Sequence, residues 1–239
     1  MSSARTAIVA GAGSGIGRAT AVLLAQAGFD LVLAGRTEAK LQETAALARR
    51  SMALPGQVVT QALDLCAADA GRQLVDQAMN RLGRIDALAN IAGYASLKSV
   101  PQVEPAEWRR TIDGNVSYVM NLTAAVWPMF AAQHSGVIVN VSSMASVDPF
   151  PGFAMYAAAK TALNMFTRVT AREGCDIGVR AVAIAPGAVE TPMLRALFDT
   201  GTVPAERALA PQMVATVIRD CITGARSFVP GDVIPVPSP

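Results

Sequence analysis

The sequence predicts a single α/β domain built on a doubly wound parallel sheet with helices on both faces. Short apolar runs rich in strand-forming residues alternate with helical segments along the chain. This alternation is typical of successive β-α-β units, in which the strands lie parallel and the helices cover the sheet. The 239 residues suffice for one sizeable domain or two small ones. Because no linker, repeat or low-complexity segment interrupts the pattern, we expect one domain over residues 1–239.

The predicted elements follow from hydrophobic periodicity and from the glycines and prolines that bound each run. The predicted strands are 6–10, 31–34, 57–63, 85–90, 136–141, 179–185 and 232–234. The predicted helices are 15–27, 37–50, 67–82, 104–133, 153–173, 193–199 and 210–222. Thr37 is a candidate N-cap, and Pro128 is expected to kink or end the helix 104–133. We expect the last strand to stop before Pro235.

Composition and charge argue against several classes of function. The net charge is +2 with acids and bases scattered, so we expect no nucleic-acid or membrane partner. No apolar stretch reaches the ~18 residues of a membrane span, and no signal peptide is predicted, so we expect a cytoplasmic protein. The three separated cysteines, Cys66, Cys175 and Cys221, and the lone His134 predict neither a disulfide framework nor a metal site.

Tyr156 and Lys160 are predicted to lie side by side on the helix 153–173, because residues four apart share one face of a helix. A free phenol has a pKa near ~10 and exchanges protons poorly at neutral pH. A neighbouring cation favours the phenolate, so we expect Lys160 to lower the pKa of Tyr156. The pair is therefore a candidate proton-transfer device. The alternative is a partly buried tyrosine beside a solvated lysine.

A glycine-rich loop joins the first predicted strand to the first predicted helix. The loop residues that we expect to bind a cofactor are Gly11, Gly13, Ser14, Gly15, Ile16 and Gly17. Glycine permits a tight turn and close backbone approach, and the helix N-terminus offers free N–H groups to a phosphate. In the first turn of a β-α-β unit, this pattern indicates a dinucleotide site. Any tight turn between a strand and a helix is the alternative.

The end of the second predicted strand indicates which nicotinamide cofactor is used. An acidic residue there binds the ribose hydroxyls of NAD, whereas an arginine accommodates the 2′-phosphate of NADP. This chain has Arg36 and Thr37 at that point and no acid at the strand end. Arg36 can pair with phosphate and the Thr37 hydroxyl can add a bond, so NADP(H) is favoured and NAD(H) remains possible. The alternative is a solvent-exposed arginine that begins a helix.

With these residues in place, residues 5–192 resemble the short-chain dehydrogenase/reductase family, which has a Rossmann-type fold. Gly11, Gly15 and Gly17 match the family's glycine loop. Further positions match its cofactor-binding motifs: Asp64 and Leu65 at the adenine pocket, then Asn90, Ala92, Gly93, Pro186, Gly187, Val189 and Thr191. Departures are Ala10, Ile91 and Ala185, where the family has Thr, Asn and Asn. Independently of the resemblance, the matched groups follow predicted strand ends, where parallel sheets bind ligands.

The resemblance assigns catalytic roles to four residues. Tyr156 is expected to act as general acid in carbonyl reduction and as general base in alcohol oxidation. Lys160 is expected to lower the pKa of Tyr156 and to hold the nicotinamide ribose. Ser143, 13 residues before Tyr156, is expected to bond the substrate oxygen. Asn115 is expected to hold a water that links Lys160 to solvent.

The resemblance implies that the stretch after the Pro186-Gly187 motif, at about residues 190–211, is a lid that closes over the substrate. The apolar side chains that would line the pocket are Leu194, Leu197 and Phe198 on the lid, and Tyr94, Met144, Phe150 and Phe153 opposite it. Ordinary packing is the alternative for these residues. They favour a small, neutral or apolar ketone, aldehyde or secondary alcohol.

Two other functions remain open. One is a 3-oxoacyl thioester reductase, which would need a basic patch for a carrier protein. The other is a dinucleotide-binding sensor without catalysis. The resemblance also implies a homodimer or homotetramer. The tail ends in Pro237 and Pro239 and lacks the family's double glycine. This departure weighs against the tetramer.

Overall fold

A computed structural model describes residues 4–53 and 55–239 of the chain. Within these residues, seven parallel strands form one sheet in the order β3-β2-β1-β4-β5-β6-β7. The strands are β1 (Thr6–Ala10), β2 (Asp30–Gly35), β3 (Val58–Ala62), β4 (Ala87–Asn90), β5 (Gly136–Val141), β6 (Val179–Pro186) and β7 (Val233–Val236). The order reverses between β1 and β4, as in a doubly wound sheet, which confirms the predicted Rossmann-type fold. That the whole chain forms one domain stays a prediction.

Helices connect consecutive strands. The α-helices of the described residues are α1 (Gly15–Gln26), α2 (Glu38–Ser51), α3 (Ala70–Leu82), α4 (Pro105–Ile112), α5 (Tyr118–Gln133), α6 (Ala154–Gly174), α7 (Pro192–Leu197) and α8 (Pro211–Thr223). The predicted elements and the observed ones agree apart from shifts of a few residues and two differences described below.

The core consists of two apolar layers, one on each face of the sheet. Along β1, Ala7 and Val9 contact one layer, and Ile8 and Ala10 contact the other, because successive side chains of a strand point to opposite faces. Helices α1, α2 and α8 cover the first face, and α3, α5 and α6 cover the second. Both faces of the sheet are therefore buried, which leaves the C-terminal edge of the strands for a ligand.

The predicted long helix 104–133 is interrupted, although not at its proline. Between α4 and α5 the chain makes one π-helical turn over Asp113–Ser117, where the N–H of Tyr118 donates to the Asp113 carbonyl five residues back. Helix α5 continues through Pro128 to Gln133, so the expectation that Pro128 ends the helix is wrong. π-helical turns are frequently found at functional sites, and this one contains Asn115.

Strand β7 includes Pro235, which we had predicted to lie beyond the strand. Pro235 is exposed and aligns with Ala185 of β6. On either side of it, the N–H of Ala183 donates to Asp232 and the N–H of Gly187 donates to Val236, each at 2.9 Å. Because β7 is an edge strand, the missing proline N–H removes no bond to a further strand.

No helix among residues 4–53 and 55–239 combines the length and the apolar character that crossing a membrane requires. All three cysteines lie within these residues and are free thiols. His134 ends α5 in the left-handed conformation, with φ of 49°, as a helix-end residue.

Candidate active site

The predicted site residues gather at the C-terminal edge of the sheet. The glycine loop follows β1, Arg36 follows β2 and Asp64 follows β3. Further along the chain, Gly93 follows β4 and Ser143 follows β5. Parallel strands align their carboxyl ends, so residues far apart in sequence meet at this edge.

The glycine loop has a backbone that only glycines permit. Gly11 has φ of +94°, and a Cβ on it would lie 2.5 Å from the amide nitrogen of Ala92. A Cβ on Gly17 would lie 2.0 Å from the Gly11 carbonyl oxygen. The first helix and the end of β4 therefore pack directly on the loop backbone.

The N-terminus of α1 suits the diphosphate of a dinucleotide. Ser14 occupies the N-cap position without a side-chain capping bond, and the first turn contains no acidic residue. The first N–H groups of α1 thus face no carboxylate of their own turn, and they carry the positive end of the helix dipole. Gly13 and Ile16 are partly buried on either side of this N-terminus. The residues present fit such a cofactor.

Two residues that sequence reasoning missed hold the glycine loop. The Thr44 hydroxyl, which is buried on α2, lies 3.0 Å from the carbonyl oxygens of both Ala12 and Lys40 and has one hydrogen to donate between them. The Arg18 guanidinium donates to the Gly13 carbonyl at 2.9 Å and to the Thr44 hydroxyl at 3.1 Å, and pairs with Glu43 at 2.7 Å. These bonds brace the loop where Ala10 lacks the family's threonine hydroxyl. Nothing in the local pattern indicated them, because Thr44 is 32 residues from Ala12.

The ends of β2 and β3 lie together. Arg36 is exposed, and Thr37 occupies the N-cap position of α2 without a side-chain capping bond. Asp64 is exposed and accepts a bond from the N–H of Cys66 at 3.0 Å. Burial and the carboxylate of Asp64 raise the pKa of the Cys66 thiol to about 11, while the guanidinium of Arg36 opposes the rise. The charges of Asp64 and Arg36 therefore both lie close to this thiol. Leu65 is buried against the core.

The end of β4 is held by a chain of buried amides. The Asn90 side-chain amide donates to the Asn140 Oδ1 at 2.9 Å, and the Asn140 amide donates to the Thr167 hydroxyl at the same distance. Among the described residues, the buried Oδ1 of Asn90 has no hydrogen-bond partner. The Ala92 carbonyl accepts the Tyr118 hydroxyl at 2.7 Å, which links this loop to α5.

Asn115 and Lys160 converge on Gly93. A Cβ on Gly93 would lie 3.1 Å from the Oδ1 of Asn115 and 3.7 Å from the Nζ of Lys160. Asn115 is buried, and its amide donates to the carbonyl oxygens of Tyr94 and Thr111 at 2.7 and 2.8 Å. The π-helical turn thus brings the Asn115 side chain to the same glycine that the lysine approaches.

Tyr156, Lys160 and Ser143 are brought together as predicted. Lys160 is 2% exposed, its Nζ lies 5.5 Å from the Tyr156 ring centroid, and it donates to the Val141 carbonyl at 2.8 Å. Ser143 follows β5, and its hydroxyl accepts the N–H of Ala145 at 3.1 Å.

The pKa values of the pair differ from the prediction. Burial raises the pKa of Tyr156 to about 12, against the opposite effect of its bond to Ser143. Burial also lowers the pKa of Lys160 to about 7. In the protein alone the pKa of Tyr156 is therefore raised, not lowered as expected, because removal of the phenol from water is the largest effect on it.

The segment after β6 is held by the atypical tail. Ser238 accepts a hydrogen bond from the N–H of Ala188 at 2.9 Å. A Cβ on Gly187, which follows Pro186, would lie 2.2 Å from that serine oxygen, so the tail occupies the space of a side chain. Val189 is buried and pairs with Leu209 across the base of the lid.

The predicted lid contains α7 and contacts the glycine loop. The Thr191 hydroxyl caps α7 by accepting a hydrogen bond from the N–H of Leu194 at 3.3 Å. The Cγ2 of Thr191 lies so close to Gly15 that a Cβ on this glycine would be 2.7 Å from it. Arg195 makes a two-pronged ion pair with Glu190 and donates to the Val203 carbonyl at 2.7 Å. These bonds fold the lid back on itself beside the site.

Comparison with known proteins agrees with this geometry. Residues 5–202 match the short chain dehydrogenase family. The 3-oxoacyl-[acyl-carrier-protein] reductase FabG of Thermotoga maritima is 32% identical over 236 residues, which cover 96% of this chain and 95% of that protein. An uncharacterized oxidoreductase of Listeria monocytogenes is 36% identical over 197 residues, or 82% of this chain and 78% of its own.

A solved structure matches over nearly the whole fold. The crystal structure of 3-ketoacyl-(acyl-carrier-protein) reductase from Brucella melitensis complexed with NADH has a TM-score of 0.88 at 27% identity. The match covers 97% of this chain and 96% of that one. The chain therefore belongs to the short-chain dehydrogenase/reductase family of oxidoreductases.

Proposed function

We propose that this chain interconverts a small, neutral or apolar ketone or aldehyde and the corresponding alcohol, with NADP(H) as cofactor. The observation that carries the proposal is the meeting of Tyr156, Ser143 and Lys160 at the sheet edge, beside the loop that fits a dinucleotide. A phenol, a hydroxyl and a buried ammonium in one place can together handle the proton and the negative charge of carbonyl reduction.

In the proposed reaction, NADPH held by the glycine loop and Lys160 would supply the hydride that the carbonyl carbon accepts. The Tyr156 phenol gives its proton to the carbonyl oxygen, whose π electrons become the new O–H bond. Ser143 bonds the same oxygen and stabilises the charge that develops on it. Because burial raises the pKa of Tyr156 to about 12, the phenol carries at neutral pH the proton that it is proposed to donate.

Lys160 and Asn115 are proposed to restore that proton. The Nζ of Lys160 lies 3.7 Å and the Oδ1 of Asn115 lies 3.1 Å from the same Cβ position of Gly93. We propose that Lys160 holds the nicotinamide ribose and passes protons to Tyr156 from a water bound at Asn115. Its pKa, lowered to about 7 by burial, allows it to gain and lose a proton at neutral pH.

The proposed cofactor contacts extend along the sheet edge. They are Gly11, Gly13, Ser14, Gly15, Ile16, Gly17, Arg36, Thr37, Asp64, Leu65, Asn90, Ala92, Gly93, Tyr156, Lys160, Pro186, Gly187, Val189 and Thr191. NADP(H) is preferred because Arg36 is exposed at the end of β2, where no acid would repel the 2′-phosphate. NAD(H) is the alternative cofactor.

A 3-oxoacyl thioester is the second candidate substrate. The name of the Thermotoga maritima relative, 32% identical over most of both chains, favours it. An acyl carrier protein would require free basic side chains at the mouth of the pocket. Arg195, the basic residue of α7, is instead taken up by Glu190. The small ketone or aldehyde therefore remains our first choice.

For the assembly we propose a homodimer in which α5 and α6 meet the same helices of a second copy. Met120 on α5 and Met165 and Val169 on α6 are between 43% and 56% exposed, which is high for apolar side chains on neighbouring helices. A homotetramer is the alternative. Sedimentation of the purified protein distinguishes the two assemblies from a monomer.

Oxidation of NADPH and of NADH, followed by absorbance with a panel of ketones, aldehydes and 3-oxoacyl thioesters, tests the function. We expect turnover of ketones with NADPH preferred, and a loss of at least ~100-fold in Tyr156→Phe with NADPH binding retained. Faster turnover of the thioesters would favour the second candidate. Tight NADPH binding without turnover of any compound would indicate a dinucleotide sensor.

A further inference from the structure

Three phenylalanines converge beside Tyr156 from two separate segments of the chain. Phe150 and Phe153 precede α6, and their rings stack with centroids 4.4 Å apart and an interplanar angle of 28°. Phe198 directly follows α7 of the lid, and its ring centroid lies 6.1 Å from each of the other two. We call these three residues the aromatic cluster. They account for three of the chain's seven phenylalanines.

The aromatic cluster runs from the surface to the proposed proton donor. Phe150 is 46% exposed at its outer end, whereas Phe153 is buried. The Phe153 ring meets the Tyr156 ring edge to face at 5.2 Å. Because Phe153 is the N-cap residue of α6, the helix holds it one turn before Tyr156. A substrate whose carbonyl reaches Tyr156 can therefore place its remaining atoms along these rings.

Three charged side chains of the adjoining lid, Glu190, Arg195 and Asp199, already have partners within the lid. Glu190 and Arg195 form their two-pronged ion pair, and Arg195 also donates to the Val203 carbonyl. Asp199, next to Phe198, accepts the N–H of Thr202 at 2.7 Å. A charged substrate would have to break these bonds, while an uncharged ring would leave them intact.

We propose that the aromatic cluster is a subsite for a planar ring and that the preferred substrates are aryl ketones, with the carbonyl attached directly to the ring. Aromatic side chains prefer stacked or edge-to-face contacts with a further ring, which a flexible alkyl chain cannot provide. The attached carbonyl then lies within reach of Tyr156 and Ser143. This proposal rests on the proposed function, because it assigns the substrate of the same site.

The first test compares two ketones of similar apolar surface, acetophenone and 2-octanone, in the parent protein and in Phe150→Leu and Phe198→Leu. We expect the parent to prefer acetophenone and each variant to lose about tenfold in kcat/KM for acetophenone, with 2-octanone and the KM for NADPH unchanged. Phe228→Leu is the matched control, because Phe228 packs against the other core layer and not against the aromatic cluster. Its ring centroid lies 5.2 Å from the Arg180 guanidinium. Equal losses for both ketones, or a parent that prefers 2-octanone, would overturn the subsite.

A binding measurement keeps this test separate from the proposed reaction. Saturation-transfer NMR detects 1-phenylethanol on the protein whether or not any carbonyl is reduced. We expect the aryl protons to show transfer in the parent and in Phe228→Leu, and to lose it in Phe150→Leu. Reduction without aryl binding would contradict the subsite alone. Aryl binding without reduction by any cofactor would contradict the proposed function and leave the subsite supported.

Discussion

The ammonium of Lys160 donates to the carbonyl oxygen of Val141 at 2.8 Å, so a helix lysine is tied to the last residue of β5. Only 2% of Lys160 is exposed, and among residues 4–53 and 55–239 no carboxylate lies within hydrogen-bond distance of its Nζ. The lysine thus bears the cost of burial with a neutral partner, which is why its pKa falls to about 7. Function at this site is proposed to depend on a residue that opposes folding.

The stability of the protein without cofactor should depend on the titration of Lys160. Below pH 7 Lys160 is protonated in both the folded and the unfolded chain, and the folded chain bears the full cost of burying that charge. Between about pH 7 and the ordinary lysine pKa of 10.5, the unfolded chain holds more protons, so stability rises with pH. We expect Lys160→Met to raise the Tm by at least about 4 °C near neutral pH, with the gain shrinking towards pH ~10.

Thermal melts of the parent and variant across this pH range check that prediction. Lys98→Met is the control, because Lys98 is exposed and its removal should shift the Tm equally at each pH. A gain in Lys160→Met that stayed constant from neutral to alkaline pH would show that Lys160 does not titrate there.

The pH dependence of the two reaction directions should differ. Carbonyl reduction needs the protonated phenol, which the raised pKa of Tyr156 maintains through neutral pH, so its rate should stay flat. Alcohol oxidation needs the phenolate, so its rate should climb up to about tenfold per pH unit on the acid side of that pKa. Initial rates in both directions between about pH 6 and 9 measure this, with Tyr156→Phe as the background. A flat oxidation profile would argue against Tyr156 as the base.

Cofactor choice should change with one residue. Arg36→Ala removes the proposed partner of the 2′-phosphate, so we expect about a 10- to 100-fold higher KM for NADPH and little change for NADH. Arg50→Ala is the control, because Arg50 is exposed at the other end of α2. Equal changes for both cofactors would remove the basis for preferring NADP(H).

The bracing of the glycine loop should be measurable through a buried threonine. Thr44→Val leaves the Ala12 carbonyl without its side-chain donor, so we expect a loss of about 1–3 kcal/mol in stability and a raised cofactor KM. Thr20→Val is a matched control, because Thr20 is also buried and its hydroxyl has no partner among the described residues. Denaturant unfolding and cofactor titration provide the two readouts. If both variants behaved alike, the Thr44 bond would not support the loop.

Local patterns determined the fold and the places of the proposed site residues. Short strands, amphipathic helices and glycines repeat within windows of a few residues, and parallel strands align their ends without further information. The spacing of Tyr156 and Lys160 likewise predicted a shared helix face, because four residues make about one turn. The positions of Tyr156 and Lys160 therefore followed from the amino-acid order, whereas Asn115 and Ser143 were expected from the resemblance to the family.

The tertiary structure decided what surrounds those residues. Burial against β5 set the pKa of Lys160, and the π-helical turn at Asn115 broke a helix that by its periodicity looked continuous. Thr44 and Ser238 support loops 32 and 50 residues away in sequence. Desolvation and long-range hydrogen bonds depend on which segments meet in space, and no window of the sequence contains both partners.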